Sequence, residues 1–154
     1  MKINLDEFSY DIDFAESAVD HAIEEILERG EQLLIIIDEK ILNFTAQLFP
    51  NLKDLSDEQL ISIPAQKESK TVYTLMKLLS RLESLNFPRS GTIMAIGGGV
   101  IGDIGGLAAS LWYRGCNLIH VPTTLLAAVD SCVGGKTALN FGNTINAIGT
   151  YYHP

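Results

Sequence analysis

The chain has 154 residues, 47% of them hydrophobic, and a formal net charge of −8 at pH 7. This length and apolar content allow one good core, so we expect a single domain over residues 1–154. The negative charge argues against a nucleic-acid partner or an anionic membrane surface, because both need a basic protein face. No apolar run approaches the roughly 20 residues of a membrane span, and residues 1–7 lack a signal-peptide pattern. We therefore expect a cytoplasmic protein with no membrane partner.

The first part of the chain predicts an arm, a helix and a buried strand. Residues 3–14 alternate loosely between apolar and polar side chains, as in an edge strand or arm. Residues 15–30 carry apolar side chains at helical spacing among acidic ones and end at Gly30, which predicts an amphipathic helix. Residues 33–37 form a continuous apolar run, which is typical of a strand covered on both faces in a parallel sheet.

Asp38 follows this strand directly. A carboxylate at the carboxyl end of a buried parallel strand lies at the edge where α/β sheets bind ligands. There it could accept hydrogen bonds from both hydroxyls of a ribose. It could equally cap a helix over residues 41–49. The sequence leaves both roles open.

The middle of the chain continues the alternation of strands and helices. Residues 59–64 predict a second strand and residues 65–70 a polar loop. Residues 71–85 predict a helix with one apolar face. That face would be formed by Val72, Leu75, Met76, Leu78, Leu79 and Leu82.

Residues 92–103 predict a buried strand, a glycine turn and the opening of a helix. The run 92–96 stops at three adjacent glycines, and a segment of small and apolar residues follows over 101–112. Glycines let the backbone approach a ligand closely, and the first N–H groups of the helix favour an anion. The pattern therefore predicts a phosphate cradle, with a plain strand-to-helix turn as the alternative. The acidic residue expected about 20 positions later in a dinucleotide fingerprint is absent, so a ribose contact must come from elsewhere, with Asp38 as the candidate.

Residues 117–121 predict a fourth strand, followed by the polar pair Thr123 and Thr124. Residues 125–129 predict a short helix that ends before a glycine-containing segment, and the rest of the chain is predicted to be a loop. The alternation of strands and helices predicts a doubly wound, mostly parallel α/β sheet of the Rossmann-like kind. Its connections would gather Asp38, residues 65–70, the glycine turn and the two threonines along one edge.

The cysteines and histidines do not form a metal motif. Cys116 and Cys132 are predicted to be buried, reduced thiols, because they lack the spacing and the nearby histidines of a metal site. His21, His120 and His153 are scattered at spacings unlike those of zinc ligands. We predict no metal ligand in this chain.

The second half of the chain resembles the amino-terminal domain of 3-dehydroquinate synthase and related sugar phosphate cyclases. The matching segments occur in one order and are residues 97–103, 113–115, 121–127, 129–131, 133–137, Asn146 and 148–149. The resemblance implies an enzyme that holds NAD and a divalent metal, zinc or cobalt. Such an enzyme converts a phosphorylated seven-carbon keto sugar acid to 3-dehydroquinate with release of phosphate, in aromatic amino acid biosynthesis. Members of the family are commonly homodimers.

The resemblance also implies roles for single residues. Those expected to meet the substrate are Arg114, Asp130, Lys136 and Asn146. Those expected from the resemblance to hold NAD are Lys70, Gly98, Gly99, Val100, Ile101, Gly102, Asp103, Thr123, Thr124 and Lys136, to which the position of Asp38 after its strand adds that residue. Each role suits its chemistry: an arginine grips an anion with a planar fork of donors, a lysine supplies a compact charge, and an aspartate orients hydroxyls or carries a proton. Arg114 could instead form a surface salt bridge, Lys136 could be a solvated loop cation, and Asp130 could be a helix-ending carboxylate.

Three departures from the family pattern shape the functional hypothesis. Only Lys70 of the usual Gly-Glu-x-x-Lys pattern carries over, because Gln66 and Lys67 stand at the first two positions. Ile145 stands where the family carries a lysine, which favours a sibling cyclase with another substrate. The family's metal ligands lie in a helical carboxyl-terminal domain that this chain is expected to lack, so the chain alone would bind NAD without turnover. The sequence also allows a polyol dehydrogenase, which usually has a lysine at the position of Val100, or a non-catalytic NAD-binding module.

Overall fold

The computed structural model describes residues 1–5, 9–15, 17–44, 48–50, 52 and 55–154. Two short antiparallel strands open the chain, β1 (Lys2–Ile3) and β2 (Tyr10–Asp11), within the segment predicted to be an edge strand or arm. The hydroxyl of Tyr10 donates to the carbonyl of Val133 at 2.7 Å. The arm is therefore tied to the second half of the chain.

The centre of the fold is a parallel sheet. Its strands are β3 (Leu33–Asp38), β4 (Leu60–Ile63), β5 (Thr92–Gly97) and β6 (Asn117–Pro122), in the spatial order β4–β3–β5–β6. Every residue of β3 and β5 is buried. This burial explains why both strands are continuous apolar runs rather than alternating ones.

Helices cover both faces of the sheet. They are α1 (Ala18–Glu28), α2 (Glu39–Leu42), α3 (Val72–Ser84), α4 (Gly99–Leu111) and α5 (Leu125–Val129). Helices α1 and α2 pack on one face, and α3 and α4 pack on the other. The predicted class, a doubly wound parallel α/β sheet, is confirmed.

Helix α4 lies between the sheet and a third layer of structure. That layer is an antiparallel hairpin of β7 (Lys136–Phe141) and β8 (Thr144–Tyr151). A Cβ on Gly105 would lie 2.9 Å from the Cβ of Ala95 on the sheet side, and one on Gly106 would lie 2.7 Å from Cγ2 of Thr137 on the hairpin side. Because the helix is covered on both sides, its sequence is apolar and small all round.

The hairpin corrects the prediction that the end of the chain is a loop. Phe141 pairs with Thr144, so Gly142 and Asn143 form a two-residue turn, and Gly142 has a φ of 56°. Leu139 is fully buried against the main core. The loop prediction was wrong because glycine and asparagine are common in hairpin turns as well as in loops. A Gly-Asn pair between two extended segments is instead a hairpin signal.

Two smaller predictions also need correction. The helix expected over residues 41–49 is α2, Glu39–Leu42, and residues 45–47 lie outside the described part of the chain. On α3, Val72 and Met76 are 38% and 54% exposed, because the buried stripe is narrow. That stripe consists of Leu75, Leu78 and Leu82. Within the described ranges, no helix combines the length and apolar character needed to cross a bilayer.

Candidate functional site

Polar groups and the glycine turn meet at the carboxyl edge of the sheet. The strand registers place Ile63, Asp38, Gly97 and Pro122 at one level, at the ends of β4, β3, β5 and β6. The chain leaves β3 toward α2 on one face and leaves β5 toward α4 on the other. Neighbouring strands whose connections leave on opposite faces define the switch point where open α/β sheets bind ligands. Asp38 and Gly98 flank this crevice.

The glycine turn leaves the amino end of α4 without a side-chain cap. Gly98 is the N-cap residue, with an extended backbone at φ −79° and ψ −173°. Its carbonyl accepts the N–H groups of Ile101 at 3.0 Å and Gly102 at 3.1 Å. The amides of Gly99 and Val100 precede these bonds, and amides at this position attract an anion. The side chain of Ile101 is fully buried and lies against Gly97.

Asp38 acts as a helix cap. Its Oδ1 accepts the N–H of Lys40 at 3.1 Å, which is one of the two roles that the sequence left open. Thr71 and Thr124 cap α3 and α5 in the same way, in contrast to the uncapped end of α4. The cap uses one carboxylate oxygen of Asp38. A contact between the other oxygen and a ribose stays a prediction.

Hydroxyl side chains border the glycine turn. A Cβ on Gly98 would lie 3.4 Å from Cγ2 of Thr124, and a Cβ on Gly99 would lie 3.5 Å from Oγ of Ser131. The N–H of Thr123 donates to the carbonyl of Gly97 at 3.0 Å, which fixes the following segment against the turn. Side chains at positions 98 and 99 would begin to fill this cradle, and glycines leave it open.

Lys70 joins three separate parts of the chain. It is 7% exposed, and its Nζ lies 2.5 Å from Oδ2 of Asp103 on α4 and 2.7 Å from Oδ1 of Asn146 on β8. Burial raises the pKa of the Asp103 carboxyl, and the hydrogen bond and charge of Lys70 oppose that rise. The sequence predicted these three residues as site residues one by one, and the structure brings them into contact.

A second ion pair lies beside the first. Nζ of Lys136 lies 2.7 Å from Oδ1 of Asp130, and the two side chains are 57% and 54% exposed. The hydrogen bond to Asp130, together with its charge, raises the pKa of Lys136. The charges of Asp130 and Lys136 also act on the pKa of Asp103, upward and downward respectively. Ser131 and Cys132, which follow Asp130 in the chain, lie against Gly99 and Gly102, so this pair also lies near the amino end of α4. Lys136 begins β7 and does not lie in a loop, and its side chain is more than half exposed to solvent.

Arg114 lies at the other end of α4 from the glycine turn. The helix has 13 residues, which corresponds to about 20 Å. Arg114 is exposed, and it belongs to a run of positive φ angles, 49° at Tyr113, 65° at Arg114 and 126° at Gly115. Within this chain it is not gathered with Lys136 and Asn146. Its contact with substrate stays a prediction.

His120 is half-buried under helix α4, and both of its ring nitrogens are shielded from solvent. A Cβ on Gly102 would lie 3.7 Å from its Nδ1, and neither ring nitrogen has a hydrogen-bond partner among the described residues. Burial lowers the pKa of His120 to about 4. Cys116 and Cys132 are buried thiols, as the sequence predicted. In the part of the chain that the structure describes, no group of three or more His, Cys, Asp or Glu side chains could hold a metal ion.

Sequence reasoning missed Ser131 and Asn140. Ser131 lies beside Gly99, and the side chain of Asn140 bonds to the main chain of Lys67 and of Asn146. Ser131 lies in the glycine-containing segment that follows α5, and Asn140 lies in the part of the chain that was predicted to be a loop. The Gly-Asn turn at residues 142–143 was the sequence signal from which the pairing of β7 with β8, and so the proximity of Asn140 to Asn146, could have been predicted.

Comparisons with known proteins agree with this arrangement. Residues 60–154, more than half of the chain, match the family model of the amino-terminal part of 3-dehydroquinate synthase. The chain belongs to the 3-dehydroquinate synthase family. The 3-dehydroquinate synthase of Alkaliphilus oremlandii is 38% identical over 157 residues, which cover 99% of this chain and 43% of that protein.

Solved structures of sugar phosphate cyclases share the fold of this family member. A 2-deoxy-scyllo-inosose synthase complexed with carbaglucose-6-phosphate, NAD+ and Co2+ is 32% identical with a TM-score of 0.82, over 100% of this chain and 43% of that one. The 2-epi-5-epi-valiolone synthase of Streptomyces hygroscopicus subsp. jinggangensis, with NAD+ and Zn2+ bound, is 29% identical with a TM-score of 0.80, over 98% and 42% of the two chains. The chain thus spans less than half the length of these relatives.

Proposed function

We propose that this chain is the NAD-binding domain of a 3-dehydroquinate synthase-like enzyme. The enzyme would convert a phosphorylated seven-carbon keto sugar acid to 3-dehydroquinate with release of phosphate, in aromatic amino acid biosynthesis. The observation that carries the proposal is the uncapped amino end of α4, which lies at the switch point of the sheet. Two solved relatives with this fold hold NAD+.

The glycine turn suits a pyrophosphate. The amides of Gly99 and Val100 carry the partial positive charge of a helix amino end, and the open cradle lets the phosphates approach the main chain. Across the crevice, the second carboxylate oxygen of Asp38 would accept the ribose hydroxyls, and Thr123 and Thr124 would line the other side. NAD, when bound, supplies a site that accepts and returns a hydride.

Lys136 and Asp130 suit an anionic, hydroxyl-bearing substrate. Both side chains are more than half exposed, so an anionic group of the substrate could replace Asp130 as the partner of Lys136 at a small desolvation cost. Asp130 would then be released to accept a substrate hydroxyl or carry its proton. Asn146 would orient hydroxyls, and Arg114 would grip an anion with its planar fork.

The ligands of the metal are proposed to lie in another domain of the enzyme. The described residues do not offer a set of ligands for the Co2+ or Zn2+ that the two solved relatives hold. We propose that a helical carboxyl-terminal domain of the complete enzyme supplies those ligands. Residues 1–154 alone would then bind NAD without completing the reaction, and the complete enzyme would be a cytoplasmic homodimer.

A related cyclase with another sugar phosphate is the second candidate. Ile145 is 67% exposed, precedes Asn146 and stands where the family resemblance expects a lysine. An apolar side chain cannot pair with a charged group of the substrate. With the complete enzyme, phosphate release measured on a seven-carbon keto sugar acid and on hexose phosphates would separate the two cyclases, and accumulation of NADH would instead indicate a dehydrogenase.

Calorimetric titration of the chain with NAD tests the binding proposal. A ligand at 100 times its dissociation constant stabilises the folded state by about 2.7 kcal/mol, so a rise in melting temperature should accompany binding. Gly99→Asp and Gly99→Asn have nearly the same shape and differ in charge. We expect Gly99→Asp to bind NAD at least tenfold more weakly than Gly99→Asn, because its carboxylate would repel the pyrophosphate. Equal affinity of the two variants, or no binding by the wild type at millimolar NAD, would contradict the proposal.

A further inference from the structure

Asn140 lies where β7 departs from a regular ladder. The pairing of β7 with β8 continues through Leu139, and the register then shifts between Leu139 and Phe141. At this irregularity the N–H of Asn140 donates to the carbonyl of Lys70 at 2.8 Å. The irregular residue is therefore bonded to the segment that carries Lys70, outside the hairpin.

The side chain of Asn140 makes two more bonds to main-chain groups. Its Oδ1 accepts the N–H of Asn146 at 3.0 Å, and its Nδ2 donates to the carbonyl of Lys67 at 3.1 Å. One partner is a donor and the other an acceptor, so the orientation of the amide is fixed by chemistry. A carboxylate of the same length would keep the first bond and lose the second.

These bonds hold the residues that meet at the site. Asn146 has a φ of 54°, a left-handed backbone conformation that residues other than glycine adopt infrequently, although asparagine tolerates it better than most. Its Oδ1 accepts a hydrogen bond from Nζ of Lys70 at 2.7 Å, and the same Nζ pairs with Asp103 on α4. Asn140 thus bonds to the main chain of both Asn146 and Lys70, whose side chains bond to each other.

We propose that Asn140 is a positioning residue for the NAD and substrate site, a claim that rests on the proposed function. Its amide atoms are engaged by Lys67 and Asn146, so it acts through them and does not contact the ligand. Without its amide group, Asn146 and the carbonyl of Lys67 lose the bonds that join them, while the main-chain bond from residue 140 to Lys70 remains. Asn146 would then hold Nζ of Lys70 less firmly at Asp103, beside the amino end of α4.

The test compares Asn140→Ala and Asn140→Asp with Asn143→Asp. The control makes the same change of charge at an exposed position in the turn of the same hairpin. Calorimetry should show NAD binding about tenfold weaker in Asn140→Ala, about threefold weaker in Asn140→Asp, which keeps the acceptor for Asn146, and within twofold of wild type in Asn143→Asp. A purely structural role would lower the melting temperature and leave the dissociation constant of the folded protein unchanged. That outcome would overturn the inference.

Hydrogen exchange at the backbone amide of Asn146 separates this inference from the proposed function. We expect exchange at least tenfold faster in Asn140→Ala, and little changed in Asn140→Asp and in Asn143→Asp. If wild type fails to bind NAD, the proposed function fails, and a selective rise in exchange at Asn146 would still support the positioning of this residue. Unchanged exchange at Asn146 in Asn140→Ala would overturn it.

Discussion

Lowering the pH from 7.5 to 5 should destabilise this protein, because His120 takes up a proton in the unfolded chain and stays mostly neutral in the folded one. His120 lies on β6 beneath α4, against Gly102 and Gly106. Neither ring nitrogen has a hydrogen-bond partner among the described residues, and burial lowers the pKa from 6.5 to about 4. The folded state therefore favours the neutral ring, because an added charge would have no partner there.

The sign and size of the effect follow from these two pKa values. The unfolded chain takes up the proton first, so the contribution of His120 to stability is complete above pH 6.5, declines as the pH falls, and is lost below pH 4. The full loss is about 3 kcal/mol, and about 2 kcal/mol of it is reached by pH 5. The raised pKa of Asp103 acts in the opposite direction, because its folded state gains a proton more readily.

Urea unfolding at pH 7.5 and pH 5, followed by the fluorescence of Trp112 and by circular dichroism, measures this loss. His120→Gln is the comparison, because glutamine is similar in size and does not titrate. Every titratable group other than His120 is common to the two proteins, so the difference between the two pH-dependent losses isolates His120. We expect wild type to lose about 2 kcal/mol more than the variant between these pH values. Equal losses in the two proteins would refute the argument that the ring is held neutral by burial.

Two further predictions concern α4: the packing of its glycines and the ion pair of Asp103 with Lys70. Gly106→Ala should destabilise the fold by about 1–3 kcal/mol, because its Cβ would press on Thr137. Gly102→Ala should be neutral or stabilise the fold by up to about 1 kcal/mol through helix propensity. Urea unfolding of the two variants measures the difference, and equal effects would contradict the prediction. Lys70→Met and Asp103→Asn should each destabilise by about 3 kcal/mol, because each leaves a mostly buried charge without its opposite charge. The double variant should lose at least about 1 kcal/mol less than the sum, and strict additivity in the cycle would show that the pair is not coupled.

The parallel sheet could be predicted because its strands are read from local composition. Residues 33–37 and 92–96 are continuous apolar runs, and such runs arise where helices cover both faces of a strand. Local composition gave the wrong secondary structure for the end of the chain, where it predicted a loop in place of the hairpin. Strands β7 and β8 contain asparagine, glycine and threonine. Strand β7 is stabilised by long-range packing on α4, and the exposed β8 is held mainly by its pairing with β7.

The residues of the candidate site could be predicted from the sequence, whereas most of the contacts between their side chains could not. The glycine turn and Asp38 could be placed at one edge from the order of strands and helices, because that edge follows from topology. The burial of Lys70 could not, since it depends on Asp103 and Asn146, which lie 33 and 76 residues away in the chain. Arg114 was grouped with the site from its motif, and the structure separates it from the glycine turn by the length of α4.

The hairpin connects the stability of the fold with the chemistry of the edge. Lys136 begins β7 and Asn146 lies on β8, while Asp103 lies on the helix that the hairpin covers. The two ion pairs bring together two cations and two carboxylates, so their side chains add no net charge to a protein whose overall charge is −8. An anionic cofactor at this edge would therefore depend mainly on the main-chain amides of α4. Those amides are held in place by the same packing, sheet on one side and hairpin on the other, that makes α4 an apolar helix rich in glycine.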